Sequence, residues 1–242
     1  KRIPDKNIKF LDGHPLMAHT IRPALESGEF DDVICVTDSK RYAEIALSYG
    51  ASVPFLRDVT NAGDTSPDRQ WLQEVVSRLD HENKKFDIFA ILRPTSPFRK
   101  ASSIRDAWQL FLSEEGVDSL RAVEKCAQHP GKMWVLRGHR LLPLLPFTLD
   151  ATPWHSSQYA SLPEIYVQNA SLEIAWTKTA KEKASIAGES IIPLVSQGFE
   201  GFDINEPEDF LLAQKLIDEN RVELPNIQTE RPNLEDRGVK LG

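Results

Sequence analysis

The sequence has 242 residues, 40% of them hydrophobic and 27% charged, which is typical of a soluble globular protein with a substantial core. A net charge of −7 argues against a nucleic-acid-binding protein, since such proteins usually need a basic face. No apolar run approaches the ~18 residues of a membrane span, and no signal peptide is recognised, so we expect no membrane association. Cys35 and Cys126 lie in apolar runs without zinc-site spacing, which favours reduced thiols and a cytoplasmic protein.

Helices and strands alternate along most of the chain. Hydrophobic periodicity predicts helices at 14–28, 40–49, 68–80, 101–113 and 207–220. Compact apolar runs predict strands at 31–38, 52–57, 86–94, 118–126 and 165–176. Ser102 and Ser103 are candidate caps of the fourth helix. This alternation, joined by short polar turns, predicts an α/β fold with a doubly wound, mostly parallel, Rossmann-like sheet.

The alternation stops at about residues 127–165. This stretch is rich in proline, contains two of the five tryptophans and has little periodicity. We interpret it as a small lobe inserted into a domain that spans 1–222, with 223–242 as a C-terminal tail. Exposed aromatic residues in such an arm often mark a subunit contact, so we expect a homodimer.

Four polar loops are expected at the carboxyl ends of the strands, where open parallel sheets bind ligands. They are KRIPDKN at 1–7, NAGDTSPD at 61–68, RPTSPFR at 93–99 and GFDINEPED at 201–209. The first loop supplies Lys1, Arg2 and Lys6 together with backbone N–H groups, a set suited to phosphate oxygens. The alternative is a solvated basic stretch with no ligand.

The RPTSPFR turn follows the strongest strand signal in the chain. It places Arg93 and Arg99 around the two hydroxyls of Thr95 and Ser96, and its prolines make the loop rigid. The turn is therefore either a ligand loop or a purely structural connection.

The acidic turn FDINEPED carries Asp203 two residues before Asn205. In a strand-to-helix turn these two side chains can point the same way and offer two oxygens to a hard cation such as Mg²⁺. Alternatively, Asn205 caps the last helix, whose positive end the following acids favour. Capping and metal binding do not exclude each other.

The segment HPGKMW begins the inserted lobe and places His129 near Lys132. His129 is either a catalytic base or, as is more usual for a lone histidine beside a proline, a structural residue.

Several of these stretches occur in an order and spacing that extend over about residues 1–215. They are KRIPDKN, PLMAHTI, VTDS, GDTS, LRPTSPFR, HPGK, NASLEI and FDINEPED. Together they resemble the CMP-acylneuraminate synthetase family, the cytidylyltransferases that activate nonulosonic and related acidic sugars. The most specific part of this resemblance is PTSP-x-R after a buried strand, combined with K-x-x-P-x-K-N at the front.

The resemblance implies the fold of the nucleotide-diphospho-sugar transferases and a Mg²⁺-dependent reaction. In this reaction the anomeric hydroxyl of the sugar attacks the α-phosphate of CTP and pyrophosphate leaves, so that catalysis consists mainly of positioning and charge neutralisation. It also implies a homodimer in which each arm completes the neighbouring site.

The resemblance assigns roles to residues of this chain, with Lys6 and Asp203 as the catalytic pair. The triphosphate and nucleoside would be bound by Lys1, Arg2, Lys6, Asn7, Arg57, Asp64, Ser66, Arg93, Thr95 and Ser96. The sugar acid would be faced by Lys132, Gln158 and Asn169, and Mg²⁺ would be held by Asp203 and Asn205. All of this requires Lys6 and Asp203 to share one cleft.

The chain departs from the family pattern at several positions. Tyr159 stands where the sialic-acid enzymes carry an arginine, and Val167, Gln168 and Ala170 replace the R-P and glycine of their R-P-N-G motif. Arg93 replaces the usual glutamine before P-T-S-P, and Asn205 replaces a second metal aspartate. Since a charge-assisted hydrogen bond contributes roughly 1.5–3 kcal/mol, two lost arginines are enough to change which sugar is recognised.

These departures leave two other functions open. One is a nucleotidyltransferase that uses another triphosphate, such as GTP, on a sugar phosphate, and the other is a catalytically weakened homologue that binds a nucleotide. The family also begins with a strand and a loop ahead of the K-x-x-P-x-K-N stretch. We therefore expect the protein to have a further strand before Lys1, the alternative being a truncated or divergent gene.

Overall fold

The computed structural model describes residues 3–57, 68–183 and 185–227, and these form two compact units. The larger one, here the main unit, combines Lys1–Ala122 with Asn169–Gly242, and the smaller one, here the lobe, is Val123–Gln168. The insertion predicted at 127–165 falls inside the lobe, and the part of the predicted tail beyond residue 227 lies outside the described residues.

The described helices agree with the periodicity, apart from their ends. They are α1 (Ala18–Ser27), α2 (Lys40–Ser48), α3 (Asp68–His81), α4 (Ala101–Ser113), α5 (Thr177–Glu182) and α6 (Pro207–Asp218). The first helix begins later than predicted because residues 14–15 pair in a short hairpin instead. The short α5 was not predicted. Neither Ser102 nor Ser103 caps α4, because Lys100 occupies the cap position and both serines lie within the helix.

The described strands include several that were not predicted. They are β1 (Phe10–Leu11), β2 (His14–Pro15), β3 (Ile88–Ile91), β4 (Ser119–Lys125), β5 (Trp134–Arg137), β6 (Arg140–Pro143), β7 (Thr148–Leu149), β8 (Thr152–Pro153), β9 (Tyr166–Trp176) and β10 (Ile191–Val195). None of the helices in the described ranges is long and apolar enough to cross a membrane.

The main sheet has the strand order β10-β4-β9-β3, which confirms the predicted α/β class. The expectation of a mostly parallel sheet needs a correction, because β9 runs antiparallel to β3, with Ile88 opposite Trp176 and Ile91 opposite Glu173. The reason lies in the connection: β4 leads into the lobe and β9 returns from it, so the chain re-enters the sheet in the opposite direction.

The strands predicted at 31–38 and 52–57 are reduced to one parallel bridge between Ile34 and Ser52. The Cys35 amide donates to the Ser52 carbonyl at 2.8 Å, and the Ser52 amide donates to the Val33 carbonyl at 2.7 Å. The run around Ile34 thus has a partner on one side, while its residues also line a large cavity in the main unit.

One apolar cluster of the main unit positions the predicted ligand loops. Ile3 of the opening stretch, Phe98 of the RPTSPFR turn and Ile204 of the acidic turn are all buried in it. Leu216 of α6 completes the cluster, so hydrophobic packing holds these three loops at one place.

The lobe contains two short antiparallel hairpins, β5-β6 and β7-β8, with a 3₁₀ turn before the first hairpin and another after the second. In the first hairpin Leu136 lies opposite Leu141 and Val135 opposite Leu142, and all four side chains are exposed. An exposed apolar surface of this kind is uncommon in a monomeric protein.

Candidate active site

Three of the predicted ligand loops are joined by two hydrogen bonds. The Lys6 ammonium donates to the Ile204 carbonyl at 2.6 Å, and the Ile204 amide donates to the Thr95 carbonyl at 2.9 Å. The opening stretch, the acidic turn and the RPTSPFR turn therefore lie side by side in the main unit. Asp203 and Asn205 flank the residue that Lys6 contacts.

The acidic turn contains one carboxylate oxygen that receives no hydrogen bond in the described part of the chain. Asp203 accepts a hydrogen bond from the Asn205 side-chain amide on Oδ2 at 2.7 Å, whereas its Oδ1 is buried and has no hydrogen-bond partner within the described residues. A carboxylate oxygen without a donor beside the Lys6 contact is the type of ligand that Mg²⁺ prefers. Asn205 turns its nitrogen toward Asp203, so its oxygen is not directed with Asp203 at a common point.

The structure bears on both roles considered for Asn205, which are metal binding and capping of α6. The described residues contain no group of three or more His, Cys, Asp or Glu side chains that could hold a metal ion. Glu206, not Asn205, occupies the cap position of α6. The carboxylate of Asp209 accepts from the amides of Asn205 at 2.7 Å and Glu206 at 2.8 Å, and this capping box leaves Asn205 outside the helix.

Arg99 holds the RPTSPFR turn together from inside the protein. It is 2% exposed and donates to the Arg93 carbonyl at 3.1 Å and to the Thr20 hydroxyl at 3.3 Å. Burial lowers the pKa of Arg99 to about 9, although the nearby Glu200 charge acts in the opposite direction. Arg99 is therefore a structural residue of the turn, and it does not face a ligand.

Arg93 is part of a cluster of alternating charges. Its guanidinium forms an ion pair with Asp68 and lies 3.6 Å from Glu173, which in turn lies 2.7 Å from Arg121. Burial disfavours the charged form of Arg93, but Asp68 and Glu173 outweigh it and raise the pKa. Burial likewise opposes ionisation of Asp68, yet hydrogen bonds from Arg93 and Trp71 lower its pKa. The positive charge predicted to face a nucleotide is thus largely compensated within the protein.

The two hydroxyl residues of the turn differ in access. Thr95 is half-buried, whereas Ser96 is fully buried and its Oγ has no hydrogen-bond partner in the described part of the chain. The Ser96 amide donates to the Arg93 carbonyl at 3.3 Å. Thr95 is consequently the more accessible of the two for the predicted nucleotide contact.

Asn7, Arg57 and Arg93 line the same cavity, which has a volume of about 710 Å³. The Asn7 carbonyl accepts from the Met17 amide at 2.8 Å, and the Arg57 amide donates to the Thr37 carbonyl at 2.9 Å. These backbone bonds fix the positions from which the side chains extend. The remaining predicted nucleotide ligands lie outside the described residues, namely Lys1, Arg2, Asp64 and Ser66.

Asn169, predicted to face the sugar, is a buried residue of the main unit. It is 8% exposed, its Nδ2 donates to the Ser196 hydroxyl at 3.0 Å, and its Oδ1 accepts from the Ser171 amide at 3.3 Å. Both ends of the amide are thus engaged by the fold.

The predicted sugar-binding residues of the lobe are mainly held by the lobe itself. Lys132 donates to the carbonyls of His155, at 3.1 Å, and of Ser157. His129 accepts from the Gly131 amide on Nδ1 at 2.9 Å, and its Nε2 lies 3.0 Å from the Pro163 carbonyl, so Nε2 carries the proton. With both ring nitrogens engaged, His129 is structural. Gln158 is exposed.

The sequence reasoning missed the carboxylates that surround Arg93. A signal existed, because Glu173 stands within the otherwise apolar run LEIAW and a buried charge requires a partner. The identity of that partner depended on the order of the strands, which the sequence did not show.

Comparison with known proteins finds relatives of the chain among the cytidylyltransferases. The profile of the cytidylyltransferase family matches residues 1–130. The CMP-N,N'-diacetyllegionaminic acid synthase of Legionella pneumophila is 34% identical over 224 residues, which cover 91% of this chain and 93% of that protein. A pseudaminic acid cytidylyltransferase of Campylobacter jejuni is 33% identical over 124 residues, about half of each chain (51% and 53%).

Solved structures show the same fold at low sequence identity. CMP:2-keto-3-deoxy-manno-octonic acid synthetase complexed with CTP superposes with a TM-score of 0.62 and 11% identity over 91% of this chain and 94% of that chain. The 4-diphosphocytidyl-2C-methyl-D-erythritol synthase of Anaerococcus prevotii gives a TM-score of 0.61 and 10% identity over 90% and 95%. With the family profile and the 34% identical relative, these observations show that the chain belongs to the cytidylyltransferase family and is a nucleotidyltransferase of the CMP-sugar synthetase type.

Proposed function

We propose that the protein is a Mg²⁺-dependent cytidylyltransferase that converts an acidic, nonulosonic or sialic-acid-like sugar into its CMP derivative. The anomeric oxygen of the sugar forms a bond to the α-phosphorus of CTP, and the bond to the β-phosphate oxygen breaks, so that pyrophosphate leaves and the hydroxyl proton is lost. The observation that carries the proposal is that Lys6 and Thr95 both form hydrogen bonds with the backbone of Ile204, the residue that follows Asp203.

In this proposal the residues of the chain position and neutralise the triphosphate. The Lys6 ammonium lies where it can exchange its Ile204 contact for a phosphate oxygen, since ammonium groups on flexible stems bind phosphate as point charges. Asp203 Oδ1, with Asn205 after rotation of its amide, would hold the metal ion. When bound, Mg²⁺ would neutralise charge on the phosphates and on the sugar carboxylate.

The class of sugar is supported by the relatives. The Legionella pneumophila and Campylobacter jejuni proteins are named for legionaminic and pseudaminic acid, and an N-acylneuraminate cytidylyltransferase of Escherichia coli is 29% identical over 214 residues. This chain has Tyr159 and Val167 where the sialic-acid enzymes carry arginines, so we propose a nonulosonic acid in general and expect a binding mode that does not use those charges.

The proposal includes a cytoplasmic homodimer. CTP is supplied in the cytoplasm, and the free thiols of Cys35 and Cys126 suit a reducing compartment. The exposed apolar hairpin of the lobe, with Leu136 and Leu141 at its centre, supports subunit association.

The first test is substitution of the proposed metal ligand. We expect Asp203→Ala to abolish Mg²⁺-dependent pyrophosphate release from CTP with a panel of nonulosonic acids, while the melting temperature stays nearly unchanged, as for most partly exposed substitutions. Glu208→Ala is the matched control, because it removes an exposed carboxylate from the first turn of α6. The assay is pyrophosphate release with each of the four nucleoside triphosphates.

Three results would refute parts of the proposal. Full turnover in Asp203→Ala would place the metal site elsewhere, and a preference of the wild type for GTP with a sugar phosphate would favour the other transferase reaction. No release from any triphosphate and sugar, combined with a thermal shift caused by CTP, would indicate a binding protein without catalysis.

A further inference from the structure

The turn that carries Lys6 begins at a residue with an unusual backbone conformation. Asp5 has a φ of +54° and a ψ of +28°, in the left-handed region that residues other than glycine seldom adopt. The 3₁₀ turn Lys6–Ile8 follows directly, and the Ile8 amide donates to the Asp5 carbonyl at 3.0 Å. Asp5 therefore sets the direction in which the chain enters this turn, and with it the position of the Lys6 ammonium beside the Ile204 carbonyl.

The side chain of Asp5 is held by the helix α2. The Tyr42 hydroxyl donates to Asp5 Oδ1 at 3.1 Å, and the Arg41 guanidinium lies 3.7 Å from Asp5 Oδ2. The side chains of Arg41 and Asp5 are 70% and 63% exposed, so water weakens their ion pair and the tyrosine supplies the more specific contact. A strained backbone conformation persists only where the surrounding structure holds it, and the Tyr42 hydroxyl provides such a contact.

Tyr42 is itself fixed on α2. Its amide donates to the Ser39 hydroxyl, the cap of this helix, at 3.4 Å. Its ring packs against the apolar cluster of the main unit that contains Ile8 and Met17. Burial, followed by the hydrogen bond to Asp5, raises the pKa of Tyr42 to about 12, so the hydroxyl keeps its proton and remains a donor at neutral pH.

A second tyrosine of α2 makes a similar contact at another point of the chain. Tyr49 lies at the end of the helix and packs against the same apolar cluster as Tyr42. Its hydroxyl lies 3.2 Å from His14 Nδ1, in the strand β2. The Tyr49 contact therefore connects α2 to the hairpin that follows the Lys6 turn, whereas the Tyr42 contact reaches the residue at which the turn begins.

We propose that Tyr42 is a positioning residue of the nucleotide site, which acts through Asp5 to hold the Lys6 turn in the orientation that binds the triphosphate. This inference rests on the proposed function, in which Lys6 exchanges its Ile204 contact for a phosphate oxygen. The same hydrogen bond directs the Asp5 carboxylate to α2, where Arg41 partly compensates its charge. A carboxylate free to rotate beside Lys6 would repel the phosphates instead.

The experiment removes a single hydroxyl group. Tyr42→Phe is compared with Tyr49→Phe, the matched control, because both tyrosines pack against one cluster and each hydroxyl makes one contact with the opening part of the chain. Steady-state kinetics of pyrophosphate release give kcat and the KM for CTP. Amide hydrogen exchange follows the Ile8 amide, which donates to the Asp5 carbonyl. The exchange measurement needs no substrate, so it tests the inference separately from the proposed reaction.

We expect Tyr42→Phe to raise the KM for CTP about fivefold with a smaller change in kcat, because the lost contact positions a group that binds the ground state as well as the transition state. Exchange of the Ile8 amide should become at least about fivefold faster, since the turn opens more often. Tyr49→Phe should change neither quantity. An unchanged KM and exchange rate in Tyr42→Phe, or equal effects of the two substitutions, would overturn the proposal.

A double-mutant cycle tests whether Tyr42 acts through Asp5. Asp5→Gly accepts the left-handed backbone but has no side chain to hold, so Tyr42→Phe should cause no further rise in KM in that background. Asp5→Asn keeps an acceptor, so Tyr42→Phe should still raise KM there. The same rise with and without the Asp5 side chain would overturn the positioning role. If the wild type releases no pyrophosphate from any triphosphate, the proposed function fails, and the exchange rates of the Ile8 amide decide the inference alone.

Discussion

Asp118 shows how one side chain organises a loop of the main unit. Its carboxylate accepts from the Lys183 ammonium at 2.8 Å and from the amides of Glu189 at 2.7 Å and Ser190 at 3.1 Å. Gly188 makes this possible, because its φ is +70° and a Cβ at that position would lie 2.4 Å from Asp118. The glycine is required both by its backbone conformation and by the close approach of the carboxylate.

Substitution of this glycine should be strongly destabilising. We expect Gly188→Ala to lower the free energy of unfolding by at least about 2 kcal/mol more than Gly198→Ala, because a clash adds to the cost of the left-handed conformation. Gly198 is the matched control, since its φ is +56° but a Cβ there would meet nothing within 4 Å. Urea unfolding of both variants measures the difference, and equal losses would show that the loop adjusts to the added methyl group.

Asp118 should also contribute to the pH dependence of stability. The Lys183 hydrogen bond, followed by those of the Glu189 and Ser190 amides, lowers the pKa of Asp118 from 3.8 to about 2. A carboxyl whose pKa is lowered in the folded state stabilises the protein above its unfolded pKa, and this contribution is lost as the pH falls through the folded value. We therefore expect the stability difference between wild type and Asp118→Asn to shrink from above pH 3.8 down to about pH 2. A difference that stays constant over this range, measured by chemical unfolding, would contradict this assignment.

At the scale of elements, the charge cluster connects β9 to the strands on either side of it. Glu173 of β9 lies between Arg93, which follows β3, and Arg121 of β4, the two strands that flank β9 in the sheet. The helix α6 and the strand β3 could be predicted because periodicity and apolar runs are local signals. The cluster could not, because it depends on which strands are neighbours, and that order is set by long-range packing.

Removal of the Glu173 charge, at the centre of the cluster, should lower the free energy of unfolding more than removal of the outer Asp68 charge. Glu173 is 5% exposed, so Glu173→Gln leaves two guanidinium groups poorly compensated, and we expect a loss of about 3–5 kcal/mol. Asp68 has a side chain that is 37% exposed, so Asp68→Asn should cost only about 1 kcal/mol, since water screens its pairing with Arg93.

Asp80→Asn serves as the reference for this comparison, because Asp80 forms an ion pair with Lys181 near the other end of α3. The three variants are compared by urea unfolding. A loss for Glu173→Gln no larger than that for Asp80→Asn would show that the cluster is not coupled to stability.

At the scale of the whole molecule, the sequence indicated an inserted segment but not which of its side chains form the exposed apolar hairpin. Prolines and the loss of periodicity marked residues 127–165 in the sequence. The pairing of Leu136 with Leu141 on an exposed hairpin could not be predicted in this way, because it depends on the register that the turn sets. At residues 31–38 the sequence instead predicted more structure than is present. The apolar pattern predicted a full strand, yet the run forms a single bridge at Ile34. A strand in the interior of a sheet requires partners on both sides, and composition alone cannot reveal whether they are present.

The proposed dimer gives the last prediction. Leu136 is 71% exposed and Leu141 58% exposed, and burying such side chains at the centre of an interface contributes strongly to association. We expect the wild type to sediment as a dimer and Leu136→Lys to weaken association by at least about 30-fold, since a lysine at a buried contact would have to be desolvated.

The control for this experiment is Leu211→Lys, which places the same charge on α6, where Leu211 is 73% exposed. Sedimentation over a range of protein concentrations distinguishes the variants. A wild type that is monomeric at every concentration would refute the dimer, and equal weakening by Leu211→Lys would place the contact on α6. If each lobe completes the neighbouring site, the activity of Leu136→Lys should fall on dilution while that of Leu211→Lys follows the wild type, because only the lobe variant separates the subunits.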